Sequence, residues 1–82
     1  MGKNDALRQR IARLLEEGRA QQALSEVRRL QKKVPRDAHL KLMEGAALQA
    51  LGELQKARDA LKCCLDLAPE ATTAMALLAF VS

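Results

Sequence analysis

The sequence has neither Trp nor Tyr, a single aromatic residue in Phe80, one His, and only two Cys, the neighbours Cys63 and Cys64. Each shortage removes a class of function. Without interleaved aromatics there is nothing to stack on unpaired bases, which argues against nucleic acid as a partner. One His and no third Cys leave no ligand set for zinc, so neither a metal nor a cofactor is expected. Neighbours on a helix point about 100° apart, so Cys63 and Cys64 can neither grip one ion nor bridge each other there. Cys64 is expected buried as a small hydrophobe and Cys63 nearer the surface. Two free thiols suit a reducing, cytoplasmic setting. The Gly residues form no phosphate-cradling loop and no Ser occupies a nucleophile elbow, so the chain is expected not to be an enzyme. No apolar run reaches the roughly 18 residues of a membrane span, so no membrane partner is expected. The opening MGKNDALRQR has no apolar run of the secretory kind. Ala6 stands where a myristoylation motif at Gly2 would carry Ser or Thr, so Met1-Gly2 reads as an ordinary start.

What is present is Ala, Leu and charge. The 82 residues are 49% apolar and 29% charged, a globular composition rich in the strongest helix formers. A single small domain is expected, of marginal stability, because a chain this short buries only about 60% of its unfolded surface. The net charge of +4 is unevenly spread: Met1 to Asp37 holds ten Lys/Arg against five Asp/Glu, and Ala38 to Ser82 four against five. Arg28, Arg29, Lys32 and Lys33 share one helical face, with Arg36 just beyond. This basic face is a candidate for RNA or another polyanion, although Lys32 and Lys33 also suit the negative end of a helix dipole.

The chain is organised on a 34-residue period. That shift superposes Gly18 on Gly52, Ala23 on Ala57, Pro35 on Pro69, Ala12 on Ala46, Leu14 on Leu48 and Gln21 on Gln55. A period of this length signals stacked helical hairpins. Apolar spacing and breakers predict helices over about 4–17, 21–33, 38–51 and 55–67, and a fifth from about 71, with no strand. Asn4 or Asp5 is expected to cap the first and Asp37 the third. Gly18 and Gly52 should supply left-handed turns. The expected core is Leu7, Ile11, Leu14, Leu15, Ala23, Leu24, Val27, Leu30, Val34, Leu40, Ala47, Leu48, Leu51, Ala57, Ala60, Leu61, Cys64, Leu65 and Leu67. Gly45, mid-helix, asks for a packing reason, the simplest being that the next helix crosses there. His39 is expected at the surface.

With Gly at the hinge, small residues at the crossing and Pro at the stop, both units resemble tetratricopeptide repeats over residues 4–71. Gly45, Leu48, Gly52, Ala57, Leu61, Cys64 and Pro69 stand where that family places Gly, Tyr, Gly, Ala, an aromatic, Ala and Pro. Lys41 replaces the large first-helix aromatic, and Glu44 holds a usually apolar place. In the first unit Leu7, Leu14, Gly18, Ala23, Val27, Leu30 and Pro35 fit, and Ile11 replaces the small residue. The resemblance implies an all-α helical hairpin solenoid, one domain over 1–82 with repeats at about 4–37 and 38–71 and a terminal helix at about 71–82. It also implies a concave groove lined by the first helix of each unit. Residues matching a known carboxylate clamp are Arg8, Ala12, Met43, Thr73 and Leu77, of which only Arg8 keeps the charge type, arguing against that ligand. The same wall carries Leu15, Leu42, Ala46, Ala50, Ala76 and Phe80, an apolar trough suited to a protein partner, as an apolar peptide or amphipathic helix, with Arg8 orienting an acidic group. The final stretch Ala74 to Val81 is apolar on every side, so it is expected to be covered, by further chain, by another protein or by a second copy in a homodimer.

Overall fold

Two turns built alike divide the chain. In the computed structural model, which describes residues 3–81 and side chains from residue 5, Gly18 and Gly52 have φ of +80° and +82°. At the first, Arg19 N–H donates to Leu14 C=O (2.8 Å) and Gly18 N–H to Leu15 C=O (3.2 Å); 34 residues later Glu53 donates to Leu48 (2.9 Å) and Gly52 to Gln49 (3.0 Å). These bonds satisfy carbonyls that a helix end leaves open. A Cβ on either glycine would meet nothing within 4 Å, so the left-handed backbone, not space, selects glycine. The expectations for Met1-Gly2 lie outside the described residues.

Among the described residues, the turns and the two prolines separate five helices: α1 (Lys3–Glu16), α2 (Ala20–Gln31), α3 (Ala38–Ala50), α4 (Leu54–Leu67) and α5 (Thr72–Val81). No strand occurs among the described residues; the fold class is all-α. Asp37 caps α3 as expected, its side chain accepting from Leu40 N–H at 3.1 Å. Asp5 does not stand at the N-cap of α1, and the Asn4 side chain lies outside the described residues. The helix already includes Lys3, which leaves Asp5 inside the first turn, where its charge still favours the dipole.

α3 is the centre of the packing. It lies against α2 and α4 and also touches α1 on one side and α5 on the other. Ile11, Leu14, Ala23, Leu24, Val27, Leu30, Leu40, Ala47, Leu48, Ala57 and Ala60 form the main cluster; Leu61, Cys64, Ala74 and Val81 form a second one under α5. Leu7, Leu15, Val34 and Leu65 pack against these clusters while only partly buried. A Cβ on Gly45 would lie 2.7 Å from Leu61 Cδ2 and 3.5 Å from Ala57 O. The glycine therefore lets α4 cross close to α3, which is its packing reason. Two expected core residues are exposed: Leu51 (37%) and Leu67 (42%). Each sits at the end of its helix, where the chain reverses before another element can cover it.

Candidate functional site

α1 runs beside α3 and α3 beside α5, so the three odd-numbered helices are neighbours. On them the equivalent positions 8, 42 and 76, and 12, 46 and 80, recur at the 34-residue spacing. Ala12, Ala50, Ala76 and Phe80 are exposed, and Leu15, Leu42, Ala46 and Leu77 half-buried. Phe80 stands out at 77% exposed.

Met43 does not line this surface. It is 5% exposed and belongs to the core with Leu40 and Ala47, because spacings of three and four residues put those three on one stripe of α3. Arg8 is also not a free charge. Its guanidinium donates to both carboxylate oxygens of Asp37, at 3.1 Å from Nη1 to Oδ1 and closely from Nη2 to Oδ2, and Nη1 also donates to His39 Nδ1 at 3.0 Å. This bidentate pair, with side chains 20% and 23% accessible, ties α1 to the cap of α3. The hydrogen bond from Arg8, helped by the Leu40 N–H and opposed by burial, holds the Asp37 carboxyl below the usual carboxylate range. The same bond raises the Arg8 pKa. The sequence marked Asp37 as a cap, but nothing local could reveal a partner 29 residues away.

His39 is at the surface, as expected. Cys64 is buried, which pushes its thiol pKa up, and Cys63 is exposed. Glu44, in a usually apolar place, is half-buried and partnered: Gln31 Nε2 donates to Glu44 Oε1 at 3.0 Å and Lys41 Nζ lies 3.5 Å away.

Arg28, Arg29, Lys32, Lys33 and Arg36 are all exposed. The structure sorts them, and adds a residue the sequence reading missed. A cleft of about 330 Å³ between α1 and α2 is lined by Leu7, Arg10, Glu26, Arg29, Leu30 and Lys33. Arg10 could have been found from its spacing to Leu7, three residues along one face of α1. A second cleft, about 230 Å³, is lined by Lys41, Glu44, Ala60 and Cys63, the residues 34 beyond Leu7, Arg10, Glu26 and Arg29, together with Arg28, Leu48, Lys56 and Asp59. Among the described residues no group of His, Cys, Asp and Glu is arranged to hold a metal ion, and no helix is long and apolar enough to cross a membrane. No family model, curated protein or solved structure matches the chain.

Proposed function

We propose that this chain is a protein-interaction module of helical hairpins, of the tetratricopeptide type, whose first-helix wall takes an amphipathic helix or apolar peptide. The hairpin reading is supported by the two turns with identical bonding 34 residues apart and by the crossing of α4 over Gly45. The observation that carries the binding reading is the 77% exposure of Phe80, one helical turn from Ala76 on α5. A large apolar side chain left in water forfeits roughly 1.5–3 kcal/mol relative to burial, so a partner covering it gains that contribution. Arg8, already paired with Asp37, does not orient the ligand; the wall selects by shape and apolarity.

The test is a titration of the isotope-labelled chain with a synthetic Leu/Ala-rich amphipathic helix, followed by amide chemical shifts. Shifts should cluster at Ala12, Leu42, Ala46, Ala50, Ala76 and Phe80, and Phe80→Asp should weaken them. No shifts at millimolar peptide, or shifts unaffected by Phe80→Asp, would remove the wall as a site. A second reading, self-association through α5, is favoured by the exposure of Met75 (47%) on the same helix as Phe80; sedimentation across concentrations separates it from binding of a foreign partner.

A further inference from the structure

The two clefts between packed helices lie on a face different from the proposed wall. Arg10 and Ala12, like Glu44 and Ala46, are two residues apart and so about 200° apart on their helices. The clefts occupy equivalent places in the two hairpins and are bridged by the neighbours Arg28 and Arg29 on α2, Arg28 facing the second cleft and Arg29 the first. In the first, Arg10, Arg29 and Lys33 stand against one carboxylate, Glu26, over an apolar floor of Leu7 and Leu30. In the second, Arg28, Lys41 and Lys56 stand with Glu44 and Asp59 over Leu48 and Ala60, and Lys56 is already paired with Glu53 at 3.1 Å, so the excess of positive charge lies at the first cleft and at Arg28. Arg29 is held by Glu26 at 3.7 Å and Lys41 by Glu44 at 3.5 Å. Arg10, Arg28 and Lys33 have no ion-pair partner among the described residues.

We propose that these clefts together bind an extended acidic peptide, which sets one apolar side chain on each floor and its carboxylates against Arg10, Arg28 and Lys33. The charge balance selects an anion, and the floors select a chain carrying apolar groups between its charges. A polyphosphate fits less well, because Glu26, Glu44 and Asp59 interrupt the positive field and no aromatic side chain lines either cleft. Packed helices such as α1 and α3 lie about 8–10 Å apart. An extended chain rises about 3.3 Å per residue, so the two apolar residues should stand about three apart, with Asp and Glu at the positions around them.

A short labelled peptide of that pattern, two Leu among Asp and Glu, is the probe, read by anisotropy and by amide shifts. Shifts should appear at Arg10, Arg28, Arg29, Lys33 and Lys56, and affinity should fall with added salt. Arg10→Glu with Lys33→Glu should weaken binding by about tenfold or more, since each exposed contact is modest but both are reversed in sign. A Lys-substituted peptide should then prefer the reversed protein over the original, which separates lost charge from lost fold. Phe80→Asp should change nothing, so this site and the wall fail or stand separately. Absence of binding at millimolar peptide, equal affinity after both Leu are changed to Ser, or tighter binding of an oligouridine would each overturn the proposal.

Discussion

Asp37 performs two tasks with one carboxylate, capping α3 through Leu40 N–H and pairing with Arg8 from α1. Loss of a cap costs about 0.5–2 kcal/mol and a partly accessible ion pair contributes about 0.2–1 kcal/mol. Asp37→Ala is therefore expected to destabilise the chain by about 1–3 kcal/mol in urea unfolding, and Asp37→Asn, which can still cap, by less. The pH dependence follows from the direction of the shift. Because the folded Asp37 carboxyl is held below its ordinary value, its contribution is fully present above the unfolded carboxylate pKa, about 3.9. It is lost as pH falls from there through the lowered folded value, while Arg8 stays charged. Urea midpoints recorded downward from pH about 5 should fall more steeply for the original chain than for Asp37→Asn. Equal slopes would show that the pair contributes nothing.

Within the elements, glycine serves two different needs. Gly45→Ala should raise the helix propensity of α3 by up to about 1 kcal/mol. Its new Cβ would come within 2.7 Å of Leu61 Cδ2, so a fully buried side chain would have to shift, and overpacking costs about 1–3 kcal/mol. A lower denaturant midpoint is expected; a higher one would mean that α4 can move away. Ala57→Leu, on the other side of the same crossing and also fully buried, should lose about 1–3 kcal/mol for the same reason, and an unchanged midpoint would show that the crossing is open. Gly52→Ala meets no atom; its cost of about 1–2 kcal/mol is the left-handed backbone alone. Thermal or urea unfolding of the three variants should show a loss in each, and a neutral Gly52→Ala would remove the backbone argument.

At the scale of the whole molecule, α5 carries the most exposed large apolar side chain among the described residues, Phe80. Ala74 and Val81 turn inward and Leu77 and Leu78 pack partly against the second cluster, leaving Met75 and Phe80 outside. Four bulky residues within five positions cannot all face one neighbour at 3.6 residues per turn. If the chain covers this face with a second copy, its apparent mass rises with concentration and its Cα radius of gyration exceeds the 11.6 Å of the single chain. Leu77→Gln with Phe80→Asp should return it to a folded monomer. A monomeric original chain at high micromolar concentration would exclude self-association through α5.

Local rules along the chain suffice for the five helices of the described residues, the breaks at Gly18, Pro35, Gly52 and Pro69, the Asp37 cap, and the burial of residues such as Ile11, Ala57 and Cys64. These follow from the backbone demands of Gly and Pro and from apolar spacing, which act over a few residues. The exposure of Leu51 and Leu67 was hidden because spacing assigns a face to a residue without saying whether another helix reaches the end of that face. Which distant groups meet depends on the packing of the helices. Arg8 with Asp37, Arg10 with Arg29 and Lys33 around one cleft, and Gly45 under Leu61 each join residues from different helices or their ends. Long side chains on different helices meet according to how those helices pack and cross, and no periodicity along a single helix encodes that.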